Sequence, residues 1–142
     1  MAAISTYLNF NGNCEEAFNF YKSVFGVDFI YLGRYDEMPQ EDYSISETDK
    51  NKIMHVSIPI GNTILMGCDM SSEWAKSYIK GNNFSVSIKP ENKSEADKLF
   101  NSLAVGGQIN MPLSDTFWGA YFGMLTDRFG INWMINLESV AE

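Results

Sequence analysis

The chain is poor in positive charge and in cysteine, and each shortage excludes a class of function. Its 142 residues hold 10 Lys and Arg against 18 Asp and Glu, a formal net charge of -8, and the basic residues are scattered. Such a chain repels the phosphate backbone and anionic lipid, so we expect no nucleic-acid and no membrane partner. The two cysteines, Cys14 and Cys68, lack CxxC spacing and are too few for a disulfide framework, so we expect free, buried or half-buried thiols.

Long apolar runs and cofactor fingerprints are also missing. No stretch of about 18 apolar residues could span a bilayer. The first residues, Met1–Ser5, lack the cationic segment and apolar core of a secretory signal, so a cytoplasmic protein is expected. Neither GxGxxG nor GxxxxGK[ST] occurs, so no cofactor is predicted. A hydrophobic share of 45% is enough for one compact domain.

The positive signal begins with the order of elements in the first half. A strand at Ile4–Phe10 precedes a helix that Asn13 caps, with Glu16 at the capping-box position, and Gly26 ends that helix. Three further strand patterns follow: Val27–Tyr35, Ile53–Ile60 and Thr63–Asp69, the last two joined by the turn pair Gly61-Asn62. The predicted order is β-α-β-β-β.

The same order begins again after a linker at 71–81. A strand at Asn83–Lys89 leads through Pro90–Lys93 into a helix that Gly106-Gly107 ends, and three strands follow: Gln108–Met111, Ala120–Asp127 and Ile131–Leu137. We therefore expect an α+β fold, a single domain over 1–142 built from two βαβββ modules at about 1–70 and 82–138. One helix covers one face of each sheet, so the uncovered faces are expected to curve into a shared trough, the default ligand site.

Three segments carry a resemblance to a known family. They are "YLNFNGNCEEAFNFYKSVFG" (Tyr7–Gly26), "IMHVSIPIGNTILMGCD" (Ile53–Asp69) and "MPLSDTFWGAYFGMLTDRFGINWMIN" (Met111–Asn136). In sequence, order and spacing they resemble the PhnB-like branch of the vicinal oxygen chelate superfamily, which includes glyoxalase I, extradiol dioxygenases and bleomycin-resistance proteins. The resemblance implies the same fold and a homodimer. Its enzymes hold a divalent metal through His, Gln or Glu on the first and last strands of each module.

The metal positions that this resemblance implies carry unsuitable side chains here. The last strand of the family usually reads Gly, three residues, then Glu, whereas Gly130 is followed at that distance by Met134. The other positions carry apolar or hydroxyl groups: Tyr7, Leu65 or Met66, and Ser85 or Phe84. Thioethers and hydroxyls do not replace carboxylate and imidazole as ligands of Mg, Zn or Fe, so we predict no metal.

His55 is the only histidine and the best candidate for a catalytic group. Alternation along Ile53–Ile60 puts the even-numbered apolar side chains on one face and His55 with Ser57 on the other. An imidazole on a polar face can act as a general base or hydrogen-bond a ligand. A structural histidine, or one paired with Asp69 or Asp127, fits the same pattern.

The last strand has the same two-sided character. Asn132, Met134 and Asn136 alternate with an apolar row that contains Trp133, so they are predicted to face the trough. The full predicted ligand-binding set combines amide, aromatic and thioether groups: Tyr7, Asn9, His55, Ser57, Trp118, Tyr121, Asn132 and Met134. Aromatic rings supply apolar walls, and methionine adapts to irregular shapes.

Two connecting segments admit alternatives. The acidic stretch Asp36–Lys52 is too long for an ordinary hairpin link, and either a lid over the trough or a solvated excursion fits it. In the linker, Trp74, Tyr78 and Ile79 indicate docking, either within a module or against a second copy.

Three functions fit these observations. The first is a metal-free small-molecule-binding protein, favoured because the family's ligands are missing and the lining is aromatic and Met-rich. The second is a glyoxalase- or dioxygenase-like enzyme acting on a small oxygenated metabolite, using His55 with Tyr7 or Tyr121, or an unrecognised metal site. The third is a structural or regulatory dimer with a filled trough. A small-molecule ligand and a second copy are the expected partners.

Overall fold

The computed structural model describes residues 1–39 and 45–138. It divides into two compact units, Met1–Ile79 and Lys80–Glu142, each with one four-stranded mixed sheet and helical cover. The first unit contains β1 (Thr6–Phe10), α1 (Cys14–Phe25), β2 (Tyr31–Arg34), β3 (Ile53–Ile60), β4 (Thr63–Asp69) and α2 (Ser72–Ala75). The second contains β5 (Val86–Ile88), α3 (Lys93–Ala104), β6 (Gln108–Asp115), β7 (Ala120–Thr126) and β8 (Asn132–Glu138). The predicted α+β class is confirmed.

The first sheet has the order β1-β4-β3-β2, with β1 parallel to β4 and the other pairs antiparallel. The buried face of α1 carries Cys14, Ala17, Phe18 and Tyr21. Gly67 in β4 is required there because a Cβ would lie 2.6 Å from the Phe18 ring and 2.9 Å from the Leu8 carbonyl oxygen. Close helix-to-sheet contact therefore depends on this glycine.

The second sheet repeats the design with the order β5-β8-β7-β6, in which β5 and β8 are parallel. The buried face of α3 carries Ala96, Leu99, Phe100 and Leu103, as its periodicity predicts. Gly123 in β7 lies under α3, since a Cβ there would be 2.8 Å from the Phe100 ring. Trp133 and Ile135 of β8 belong to this core, with exposed fractions of 1% and 0%.

The start of α1 differs from the prediction. Asn13 occupies the N-cap position, but its side chain makes no capping hydrogen bond, so the proposed capping box with Glu16 is wrong. The Asp69 carboxylate takes that role: Oδ1 accepts from the amides of Gly12 at 3.0 Å and Cys14 at 2.9 Å. At α3, in contrast, Asn92 is the side-chain cap and accepts from the Glu95 amide at 2.8 Å.

Several strand lengths also differ. The predicted strand over Val27–Tyr35 is only Tyr31–Arg34, and that over Asn83–Lys89 is only Val86–Ile88. The strand predicted at Gln108–Met111 continues to Asp115, with register shifts on both sides of Met111. The continuation passes through Pro112, which β6 tolerates because it is an edge strand of its sheet.

The two connecting segments are held differently. Residues 40–44 of the predicted lid lie outside the described residues, while Asp49 near its end is 6% exposed and accepts from the Ser72 amide at 3.0 Å and hydroxyl at 2.7 Å. In the linker, Trp74 is 62% and Ile79 86% exposed, while Tyr78 is half-buried, so only Tyr78 of these three is partly covered. Among the described residues, no helix has the length and apolarity needed to cross a bilayer.

Candidate functional site

The face of the first sheet turned away from α1 holds four of the predicted ligand-binding residues. Val56 and Ile58 of β3 are fully buried, as the alternation predicts. The alternation does not hold along the whole strand, because Met54 and Ile60 are half-buried while Ile53 is 1% exposed. Ser57 lies on the side opposite Val56 and Ile58 but is 5% exposed, so it is buried as well. The opposite side is the His55 face, defined by Tyr7, Asn9, Tyr31, His55, Ser57, Met66 and Cys68. The strand register brings these together, because Tyr7 pairs with Met66 and Met66 with Ser57, while Asn9 pairs with Cys68.

His55 is held between two tyrosine rings. Its Nδ1 lies 3.2 Å from the Tyr7 hydroxyl, and the imidazole centroid is 5.6 Å from the Tyr7 ring and 5.9 Å from the Tyr31 ring. Tyr31 reaches this position by lying over Gly33, where a Cβ would be 2.8 Å from two of its ring carbons. Both tyrosines keep exposed surface, 42% for Tyr7 and 45% for Tyr31.

Cys68 and Asn9 extend the polar contacts of Tyr7. The Cys68 thiol donates to Asn9 Oδ1 at 3.4 Å. Burial raises the pKa of Cys68, and its hydrogen bond with Tyr7 only partly offsets this. Burial, and then the neighbouring Cys68, raise the pKa of Tyr7. Both groups are therefore protonated at neutral pH and present hydrogen-bond donors rather than anions.

The frame of the His55 face depends on Asp69, which is 2% exposed. Its Oδ2 accepts from the Ile53 amide at 2.9 Å, while Oδ1 holds the start of α1. Its backbone carbonyl accepts from the Tyr35 hydroxyl at 2.7 Å, and burial raises the pKa of Tyr35 to about 12. Asp69 is thus occupied by the backbone and is not the partner of His55.

The second sheet has a corresponding polar face. Asn132 and Met134 of β8 lie opposite the buried Trp133 and Ile135, as the alternation predicts. Asn132 borders a cavity of about 470 Å³ within the second unit. Asp127, the other acid considered for His55, accepts instead from the Trp133 indole N–H at 2.8 Å.

Two predicted ligand-binding aromatics are placed elsewhere. Contrary to expectation, Tyr121 lies on the α3 side of its sheet, where its hydroxyl donates to Asp97 Oδ1 at 2.5 Å and Lys93 Nζ sits 4.8 Å from the ring centroid. Its parity with buried Leu125 could have indicated this. Trp118 is 54% exposed, and its ring centroid lies 5.9 Å from that of Phe122. It does not line the cavity that Asn132 borders.

The residues at the superfamily's metal positions do not fit a divalent cation. Tyr7 is a neutral phenol with a raised pKa, and Met66 and Met134 offer only thioether sulfur. Hard cations such as Mg require oxygen ligands, and Zn sites use thiolate, imidazole or carboxylate. Among residues 1–39 and 45–138, no three His, Cys, Asp or Glu side chains are grouped closely enough to hold an ion.

Comparison with known proteins finds a matching family model and similar proteins that align over nearly the whole chain. A family model described as 3-demethylubiquinone-9 3-methyltransferase matches residues 2–136. The chain is 30% identical over 141 residues to protein YjdN of Escherichia coli K12, with 94% of each covered. It is 39% identical to the crystal structure of PA1353 from Pseudomonas aeruginosa, covering 97% of this chain and 98% of that one, with a TM-score of 0.82.

Two further solved structures connect the chain to PhnB and to the wider fold. The PhnB protein of Bacillus cereus is 29% identical, with 96% and 99% of the two chains covered and a TM-score of 0.70. A glyoxalase/bleomycin resistance protein/dioxygenase family enzyme from Burkholderia phytofirmans is 19% identical, with 96% and 100% covered and a TM-score of 0.66. The latter likeness shows the fold alone.

Proposed function

Because this chain belongs to the PhnB-like family of the vicinal oxygen chelate superfamily, we propose that it binds a small organic molecule, without a metal ion, on the His55 face. The observation that carries the proposal is the His55 imidazole held between the rings of Tyr7 and Tyr31, two residues that are 42% and 45% exposed. Aromatic walls with a few convergent polar tips are typical of small-molecule sites.

The polar groups define the chemistry of the ligand. The Tyr7 hydroxyl, the Cys68 thiol and the Asn9 amide lie in one hydrogen-bonded series that begins at His55 Nδ1. These groups are neutral, so they suit carbonyl or hydroxyl oxygens rather than a strongly charged group. A small oxygenated molecule with a planar or aliphatic body is the proposed ligand.

A second candidate function is favoured by the contact between Tyr7 and His55. A Tyr7 hydroxyl that donates to Nδ1 leaves Nε2 protonated and able only to donate, which suits binding. If the Tyr7 proton points to Cys68 instead, Nδ1–H donates to Tyr7 and Nε2 is free to act as a general base. The second arrangement would make the protein an enzyme acting on the same oxygenated class of molecule.

Methyl transfer is not part of either proposal. The family description names a methyltransferase, and that reaction requires a methyl-donor cofactor. The chain contains no GxGxxG fingerprint or comparable nucleotide motif. The proposals therefore rest on the side chains of the His55 face.

The test is a thermal-shift screen of small oxygenated compounds on chelator-treated protein. A compound at 100 times its Kd should stabilise the fold by about 2.7 kcal/mol. The His55→Ala variant should lose that shift, and Glu16→Ala should keep it, because Glu16 is exposed on α1, across the sheet. Hits that stabilise the two variants equally would contradict the proposal.

The same hits separate the two candidate functions. Each hit is incubated with wild-type protein and then examined by proton NMR. Recovery of an unchanged compound supports a binding protein. Conversion that His55→Ala abolishes supports the enzyme, with His55 as its base.

We also propose that the protein is a cytoplasmic homodimer. Large apolar side chains are exposed on the single chain, including Ile4 at 94%, Ile30 at 56% and Phe84 at 60%. A second copy would remove such surface from water. Light scattering at tens of micromolar should return twice the 16.0 kDa chain mass, and a monomer mass would contradict this.

A further inference from the structure

The cavity of the second unit is a second candidate ligand site, lined entirely by residues of that unit. Its volume of about 470 Å³ is within the range of about 300–1,000 Å³ that is usual for small-molecule pockets. It is lined by residues from the start of the unit, from three strands and from the turn before β8, among them Lys80, Asn110, Met124, Thr126, Gly130 and Asn132.

The lining of this cavity is positively charged, whereas the chain as a whole is negatively charged. The cavity has one cation, Lys80, and no Asp or Glu, although the whole chain carries a net charge of -8. Lys80 forms no ion pair within the described part of the chain. Its stem passes over Gly130, where a Cβ would lie 2.5 Å from Lys80 Cδ and 3.1 Å from Nζ. The ammonium therefore lies beside the cavity and has no ion-pair partner among residues 1–39 and 45–138.

A series of hydrogen bonds orients the polar wall. Asn110 Nδ2 donates to Thr126 Oγ1 at 2.9 Å, and Thr126 Oγ1 donates to Asn132 Oδ1 at 2.7 Å. Asn132 Nδ2 in turn donates to the Phe84 carbonyl at 3.4 Å. Each amide nitrogen has a second N–H, so both carboxamides can still donate to a ligand. The wall therefore offers N–H donors close to the one cation.

An apolar surface adjoins this polar wall. Met124 lines the cavity, and in the sheet it pairs with Met111 on β6 and with Met134 on β8. Residues paired across antiparallel strands point to the same face, so the three thioethers form one row. Methionine side chains adapt their shape to an aliphatic or aromatic body.

We propose that this cavity binds a small organic carboxylate, whose anionic head pairs with Lys80 and the Asn132 amide and whose apolar body lies against Met124. A carboxylate can accept several hydrogen bonds, as the two Asn amides require, and its single negative charge balances the single positive charge of Lys80. Every residue that lines the cavity belongs to the second unit, and the proposal does not depend on the function proposed for the His55 face.

The test uses the methionine methyl groups as reporters. The eight methionines are labelled with 13C at the methyl carbon, and the Met124 signal is assigned with Met124→Leu. Wild-type protein is titrated with hexanoate, hexanol and hexylamine, which share one apolar body. Hexanoate should shift the Met124 signal in a saturable way, hexanol should bind more weakly, and hexylamine should have no effect.

Lys80→Gln should raise the Kd for hexanoate about fivefold, the effect of losing one solvent-accessible charge pair. Lys89→Gln is the matched control, because Lys89 is exposed in the same unit and does not line the cavity. Equal shifts with hexylamine, equal affinity in Lys80→Gln, or a Met124 signal that no probe moves would each overturn the proposal.

Discussion

Replacing Asp69 by Asn should destabilise the first unit strongly while leaving its shape unchanged. The carboxylate is 2% exposed and accepts from three backbone amides, those of Gly12, Cys14 and Ile53, at 2.9 to 3.0 Å. It therefore joins the start of α1 and the start of β3 to the end of β4. Asparagine keeps the size of the side chain but replaces one oxygen by an N–H donor.

The magnitude follows from these three bonds. The Asn oxygen can still accept from two amides, but each bond loses its charge assistance, while the third amide meets a donor and is left unsatisfied in the core. An unsatisfied buried group costs about 1–3 kcal/mol, and a bond to a charged group is worth about 1 kcal/mol more than a neutral one. We expect a total loss of about 3–5 kcal/mol, or a fall in Tm of about 10–17 °C at this chain length.

Urea and thermal unfolding followed by circular dichroism would measure this loss. Asp115→Asn is the control, because Asp115 is exposed and only pairs with Lys93 at 3.0 Å, so its loss should cost less than about 0.5 kcal/mol. An Asp69→Asn variant that unfolds within 0.5 kcal/mol of the wild type would refute the role assigned to this carboxylate.

Three other perturbations test individual contacts. Burial raises the pKa of Cys68, and the hydrogen bond with Tyr7 lowers it. Tyr7→Phe should therefore leave less Cys68 thiolate at pH 8 and slow its alkylation by iodoacetamide, while the fully buried Cys14 stays unreactive. Faster alkylation of Cys68 in the variant would contradict the contact. Burial raises the pKa of Asp49, but hydrogen bonds from Ser72 and Lys52 outweigh it, so its pKa is low. Because this pKa is lower in the folded state than in the unfolded chain, the ionised Asp49 stabilises the fold above about pH 4, and that stability is lost as the pH falls. Asp49→Asn should therefore lower the free energy of unfolding at pH 7 and reduce its further decrease below pH 4. Wild-type and variant curves of unfolding free energy against pH that run parallel would contradict this. Gly130→Ala should cost about 1–2 kcal/mol in urea unfolding because φ is 88° there, and an unchanged midpoint would contradict that strain.

Much of the fold could be predicted because it depends on local alternation. The apolar row containing Val56 and Ile58 must be buried, which determines the face on which His55 lies. The same logic placed Trp133 in the core and Asn132 on the opposite face. A strand with one buried face has a single register that buries its apolar side chains and leaves its polar side chains on the opposite face.

What sequence reasoning missed depends on contacts between distant residues. The cap of α1 comes from Asp69, 55 positions after Cys14, so the nearby Asn13 was a misleading signal. Tyr31 reaches His55 only because β2 pairs with β3 and Gly33 leaves room for its ring. The cavity beside Lys80 is assembled from four separate segments, and no local periodicity connects them.

The most direct test of ligand binding on the His55 face is the imidazole spectrum of its single histidine. Long-range proton–nitrogen NMR of 15N-labelled, chelator-treated protein shows Nδ1 and Nε2 of His55 without overlap. Titration with the thermal-shift hits should move the Nε2 signal in a saturable way, and Tyr7→Phe should change the Nδ1 shift before any ligand is added. Hits that stabilise the protein yet leave both His55 nitrogens unmoved would contradict the account.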